Sequence, residues 1–248
     1  EGDSAIFHLI DEQTFSAANP QADGIHIQSL CNERATARVV WKDIRIAADR
    51  LLFRSGRKQP TRRRMYIVNR DGSDLRALPE TILGYSQFGS PEWTPDGKQI
   101  VCNGWVGSSS GSHTMIMDAD GSNAVDLGRA DMPSLSADSK KIAFWRPGSG
   151  VMTMNADGTD RTVIDPSGWG PRWSPKANLL VYSKAANLIV KDFDTDETIV
   201  LLTDADATRY SYIFLDPGWS QDNHWIAFKG VRRSDSKSEL ATVSVDPT

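Results

Sequence analysis

Along this chain, short runs of apolar residues, or of apolar residues alternating with polar ones, are broken at regular intervals by turn-forming residues. "PEWTPDGKQIVCNGW", residues 91–105, shows the unit: a strand reaching Trp93, a tight turn at Pro95-Asp96-Gly97, and a second strand carrying Ile100 and Val101. Proline presets φ at the second turn position, aspartate can bond its own backbone, and glycine accepts positive φ. Near copies begin at Pro171 ("PRWSPKANLLVYS") and Pro217 ("PGWSQDNHWIAFK"), with a more divergent one at "PSLSADS". Trp93, Leu135, Trp173 and Trp219 thus share one column, at steps of 42, 38 and 46 residues.

A second column lies between them. It reads "MYIVNRDGSD" from Met65, "TMIMDADGSN" from Thr114, "VMTMNADGTD" from Val151 and "LIVKDFDTDE" from Leu188, and "LATVSVDPT" from Leu240 starts a fifth copy. A period near 40 residues, built of short strands and glycine-containing turns, is the signature of propeller blades. Each period supplies four strands; in the second complete one they fall near 91–94 (A), 99–103 (B), 114–118 (C) and 123–127 (D). Such a sheet cannot bury both faces by itself, so blades must stack face to face around an axis. The column tryptophans are then expected to pack between adjacent blades.

Upstream the pattern decays. "IRIAADRLLFRSG", 44–56, matches the A-turn-B unit without its proline and tryptophan; 25–40 reads as a C–D hairpin and 4–10 as a B strand. The expectation is a single all-β domain: a β-propeller of four-stranded antiparallel blades, with repeats near 4–41, 44–78, 91–127, 133–164, 171–203 and 217–246. Six blades is the expected count and five, with the N-terminal strands used for closure, the alternative. Both ends are partial repeats and should meet, since an open ring exposes strand edges.

Composition narrows the partners. The 248 residues are 39% hydrophobic and 24% charged, as in globular chains with a sizeable core. The net charge of −4 makes no global case for nucleic acid or an anionic membrane. The one basic run, "RSGRKQPTRRR" at 54–64, reads as a solvated loop or at most one lobe of an anion site. No apolar stretch approaches the ~20 residues of a membrane helix. "EGDSAIFHLI" lacks a signal-peptide pattern, so the chain is expected either not to be exported or to have lost its signal. Cys31 and Cys102 lie in strand-like runs and read as buried thiols rather than a disulfide.

Candidate chemistry is sparse. "DADGSN" and "NADGTD" fail the EF-hand template, whose glycine stands sixth and whose glutamate stands twelfth, and read as hairpin turns. "GSSSG", 107–111, matches G-x-S-x-G, yet it lies between antiparallel strands with no helix to follow. His8, His26, His113 and His224 show no metal-ligand spacing. No cofactor, metal or catalytic residue is expected.

These motifs resemble the TolB-like propeller family, whose repeat reads roughly "IYVMDADGS…LT…P.WSPDGK.IAF.S". The resemblance is clear from about residue 40 onward and weak before it. It implies a six-bladed propeller serving as a protein-binding platform, periplasmic or extracellular. The separate N-terminal α/β domain of TolB is missing from the pattern, and the repeat occurs in proteins of many functions.

Strand order supplies the location of a site. In antiparallel blades the A–B and C–D turns fall on one face of the disc, and the B–C and D–A connections on the other. The first set is short and turn-like, and the second contains every long connection, with many Tyr, Trp and Arg residues. Long loops on a rigid scaffold carry function, and these residue types anchor interfaces. The expected anchors are Tyr85, Trp105, Arg146, Trp169, Arg172 and Tyr212. The expected role is a non-enzymatic, monomeric scaffold for a protein or peptide ligand. The alternatives are a saccharide-active lyase or hydrolase at the channel mouth, using carboxylates such as Asp131 or Asp216, and the regulatory propeller of a peptidase.

Overall fold

The computed structural model describes residues 40–47, 50–56, 64–69, 73–107, 111–214 and 217–245. These form five antiparallel sheets of four strands each. The first sheet is β1 (Val40–Ala47), β2 (Arg50–Gly56), β3 (Arg64–Asn69) and β4 (Arg76–Ala77). The second is β5 (Gln87–Trp93), β6 (Gln99–Trp105), β7 (His113–Asp118) and β8 (Val125–Arg129). The third is β9 (Asp131–Leu135), β10 (Lys141–Arg146), β11 (Gly150–Asn155) and β12 (Thr162–Asp165). The fourth is β13 (Trp169–Trp173), β14 (Leu179–Lys184), β15 (Asn187–Asp192) and β16 (Thr198–Val200). The fifth is β17 (Tyr210–Ile213), β18 (Gly218–Trp219), β19 (Trp225–Arg232) and β20 (Ser238–Ser244). In the fifth, β17 and β18 both pair with β19 as two halves of one A strand, and β20 pairs with β19 as strand C. The helical content of the described residues is a single short 3-10 turn at Asp206–Thr208.

Consecutive sheets among the described residues share a core at four junctions, which is why the apolar positions recur with the blade period. Met65 and Ile67 of the first sheet meet Trp93, Ile100, Cys102 and Met115 of the second. Val101 and Leu127 of the second meet Leu135, Ile142 and Phe144 of the third. Ala143 and Val151 of the third meet Trp173, Leu180 and Tyr182 of the fourth. Val181, Leu188 and Val190 of the fourth meet Tyr210, Ile226 and Phe228 of the fifth. The column residues Trp93, Leu135 and Trp173 are buried at three of these junctions, as their spacing predicted, and Trp219 packs half-buried at the fourth. Cys102 is a free thiol, fully buried, and burial pushes its pKa up.

The A strands converge. β1 approaches β5, β5 approaches β9, and β9 approaches β13. The D strands β8, β12 and β16 carry mostly exposed residues. Strand A is therefore the inner edge of each blade and strand D the outer rim.

The A strands begin earlier than the proline column suggested: β5 starts at Gln87, β9 at Asp131, β13 at Trp169 and the last A strand at Tyr210. Likewise β1 starts at Val40, which the sequence pattern had placed at the end of an upstream hairpin. The proline marks a bulge inside the strand, not its start. Register shifts separate Gly89 from Glu92 in β5 and Trp169 from Arg172 in β13, with another between β9 and β10. At each of these, a residue of positive φ precedes the proline: Ser90 at 43°, Met132 at 52° and Gly170 at 61°. A bulge leaves one residue unpaired, and an edge strand tolerates a residue without an N–H there. The expected repeats 4–41 and 217–246 concern, in part, residues outside those described, and the described sheets do not decide between six blades and five.

Candidate functional site

The ladder places the connections as strand order requires. B–C and D–A segments share one face; A–B and C–D turns share the other. On the turn face, Asp96, Asp138, Asp222, Asp120 and Asp157 each bond within their own turn. Thr94 Oγ1 donates to Asp96 Oδ1 at 2.6 Å, and the Lys98 amide donates to the same oxygen at 3.0 Å. Ser136 Oγ donates to Asp138 Oδ1 at 2.7 Å, and Ser220 Oγ donates likewise to Asp222 Oδ1. In the C–D turns, Ser122 Oγ donates to Asp120 and Thr159 Oγ1 to Asp157, both at 2.6 Å. The hydroxyl, then the backbone amide, holds these carboxyls below the usual carboxylate range. This is hairpin chemistry, as the motifs read.

The other face is less uniform. Trp169 opens β13 and Tyr212 lies in β17, and their rings meet with centroids 5.3 Å apart and planes inclined at 53°. Phe214 packs edge-on to Tyr212 at 5.0 Å, and Lys229 Nζ stands 4.4 Å over the Phe214 ring. Tyr212 remains 41% exposed, so this cluster presents an aromatic surface beside a cation. Both anchors sit on inner strands; the D–A connection 203–216, expected to be one long loop, contains β17.

Tyr85, in the connection from β4 to β5, donates its hydroxyl to Asp126 Oδ2 at 2.9 Å. The same carboxylate takes His113 Nδ1 at 3.0 Å and the Gly128 amide at 2.7 Å. Burial and the Asp126 contact push Tyr85 up to about 12. Desolvation opposes ionisation of Asp126 but is outweighed by its three donors, and its pKa falls. Tyr85 is thus a fixed platform beside the imidazole, with ring centroids 5.5 Å apart. No local motif signals this network, because its three members lie on separate segments.

Trp105 ends β6 and is half-buried. Arg146 ends β10 two residues after Phe144, on the same strand face, and Arg161 lies 5.1 Å over the Phe144 ring. Burial, then the charge of Arg146, holds the Arg161 pKa down, opposed by Asp126. Arg172 differs from the other five anchors. It lies within β13, 7% exposed, and Nη1 donates to the Pro133 carbonyl of the third sheet at 3.1 Å. Trp219 Nε1 in turn donates to the Arg172 carbonyl at 3.1 Å. Arg172 joins blades in the interior; it was expected among the loops because the proline before it reads as a strand start. Of the six anchors, the structure brings Trp169 and Tyr212 into mutual contact; Arg172 shares β13 with Trp169, Tyr85 packs on the second sheet, which also carries Trp105, and Arg146 lies on the third.

Among the described residues, no three His, Cys, Asp or Glu side chains are grouped to share a metal ion. No helix among them is long and apolar enough to cross a membrane.

Stacked four-stranded sheets with inner A strands define a β-propeller, and the fold is that of the TolB-like propellers. The chain is similar to a putative TolB from Agrobacterium tumefaciens, with TM-score 0.66, 12% identity, and coverage of 84% of this chain and 78% of that one. It is similar to TolB from Acinetobacter baumannii, with TM-score 0.60 and 17% identity over 75% of this chain, spanning only 48% of that protein. The β-propeller domain of the Trilobed protease from Pyrococcus furiosus follows, with TM-score 0.57, 11% identity, and coverage of 84% and 70%. At these identities the likeness is one of fold. A family profile described as "Protein of unknown function (DUF1583) C domain" matches residues 1–79. No curated protein matches the chain.

Proposed function

We propose that this chain is a non-enzymatic binding module that presents the B–C and D–A face of its propeller to a protein or peptide. The supporting observation is the Trp169–Tyr212 contact, which holds two large rings at the junction of the fourth and fifth sheets while Tyr212 stays exposed. Rings locked by packing lose little entropy on binding and supply broad apolar contact, which is why Trp and Tyr dominate interface energetics. Among the described residues of the opposite face, Asp96, Asp120, Asp138, Asp157 and Asp222 are bonded within their own turns. The module acts as a monomer, outside the cytoplasm, in keeping with its resemblance to the TolB repeat.

A displayed peptide library selected on the purified chain tests this reading. Enriched peptides should lose binding on Trp169→Ala and Tyr212→Ala and keep it on Asp157→Asn, which alters the turn face alone. Peptides that follow Asp157→Asn instead would reverse the assignment. Turnover of a saccharide by the purified chain would replace the module reading with an enzymatic one.

A further inference from the structure

Several aromatic side chains of this chain direct their donor into the protein itself. The hydroxyls of Tyr85, Tyr182 and Tyr210 donate to the carboxylates of Asp126, Asp165 and Glu239, and Trp219 Nε1 donates to the Arg172 carbonyl. Tyr212 and Trp169 differ. Among the described residues they make ring contacts and no side-chain hydrogen bond. The buried side-chain atoms left without a partner are the indole nitrogens of Trp93 and Trp173 and Asn103 Oδ1, so the Trp169 indole N–H, which is not one of them, reaches solvent. Lys229 Nζ likewise makes no ion pair or hydrogen bond among the described residues and stands over the Phe214 ring.

These four side chains form one continuous surface: Trp169 to Tyr212 at 5.3 Å, Tyr212 to Phe214 at 5.0 Å, and Phe214 to Lys229 at 4.4 Å. It presents three rings, Tyr212 41% exposed and the other two half-buried. Its polar groups are three donors (indole N–H, phenol O–H and ammonium), with the phenol oxygen as the one acceptor. Desolvation raises the Tyr212 pKa, so the phenol keeps its proton near neutrality. A fitting ligand therefore brings acceptors, few donors and apolar bulk. A proline tract does so: it has no N–H, its carbonyls carry no internal hydrogen bonds, and its rings are apolar. Its polyproline II form is ordered before binding, and such tracts dock along aromatic side chains without entering a deep cavity. A saccharide hydroxyl, by contrast, brings a donor with every acceptor. The unpaired charge of Lys229 favours an acidic residue beside the tract.

We propose that the surface of Trp169, Tyr212, Phe214 and Lys229 binds a proline-rich peptide in the polyproline II conformation, with an acidic residue flanking the tract at Lys229. The inference rests on the peptide-binding reading above and names the class of its ligand. The rings pack on the pyrrolidines, and Trp169 Nε1 and the Tyr212 hydroxyl donate to carbonyls of the tract.

Calorimetric titration of the whole chain uses three blocked peptides: five prolines flanked by glutamates, five alanines flanked by glutamates, and five prolines flanked by lysines. The glutamate-flanked proline peptide should bind, and its alanine counterpart should bind about tenfold more weakly or not at all. The lysine-flanked peptide should bind more weakly than the glutamate-flanked one, by a margin that shrinks as salt rises. Tyr212→Phe keeps the ring and removes only the hydroxyl, which has no partner in the fold, and should weaken the proline peptide about fivefold. Equal binding of the proline and alanine peptides, equal binding of the two proline peptides, unchanged affinity in Tyr212→Phe, or no binding of the proline peptide would overturn the proposal. Binding of maltohexaose in place of the proline peptide would overturn it too and assign the rings to sugar stacking. Library peptides that depend on Trp169 and Tyr212 but contain no proline tract would remove this inference and leave the module reading in place.

Discussion

The indole of Trp169 and the phenol of Tyr212 meet at 5.3 Å and link β13 to β17 across the junction of the fourth and fifth sheets. Each ring holds the other in place, so a ligand that packs on them meets a preorganised surface. Truncating either to alanine should cost about 2 kcal/mol or more of binding to any peptide selected on this face. Because the rings touch, the double variant should cost less than the sum of the singles. Additive losses in titration calorimetry would show that the two act separately.

The tryptophan column makes a stability prediction. Trp173 is buried between Ala143 and Val151 of the third sheet and Leu180 of its own, with Phe193 at 4.8 Å. Trp173→Ala should destabilise by about 3–5 kcal/mol. Lys176→Ala, at an exposed turn position, should change stability by less than about 0.5 kcal/mol. Equal shifts in denaturant titrations would refute the packing role.

The bulges predict an asymmetry between equivalent positions. Gly170 at φ 61° and Met132 at φ 52° stand before their prolines in successive blades. Gly170→Ala introduces a side chain where the left-handed region penalises it, at about 1–2 kcal/mol. Met132→Gly relieves the same penalty while loosening the unfolded chain, so the two effects should nearly cancel. Thermal melts of the two variants decide it; a large loss in Met132→Gly would mean that its side chain, not its backbone, matters there.

The turn aspartates give a pH dependence. Asp157 is held below its unfolded pKa by the Thr159 hydroxyl and amide. A depressed folded pKa contributes stability above the unfolded value of about 3.9, and that contribution is lost as pH falls through the folded pKa. The wild type should therefore exceed Asp157→Asn in melting temperature near neutrality, and the gap should narrow below about pH 4. A gap that widens on acidification would contradict the assignment.

How much of this was legible beforehand follows from the range of each interaction. Strand periodicity, Asp-Gly turns and the tryptophan column are local patterns repeated in register, so the sequence alone determined the four-stranded blade, the inter-blade role of Trp93 and Trp173, and the two unlike faces. Where the strands begin was not local: Pro91 and Pro171 look like starts, and only pairing with the neighbouring strand shows the chain continuing through a bulge. That pairing also moved Arg172 from a loop to a buried carbonyl bond with Pro133. The tertiary structure alone brought Tyr85 to Asp126 and Asn103 to Asp131, 41 and 28 residues apart in sequence. No spacing rule encodes such contacts, because the closing of one blade on the next sets them, and the separation of partners varies with every intervening loop.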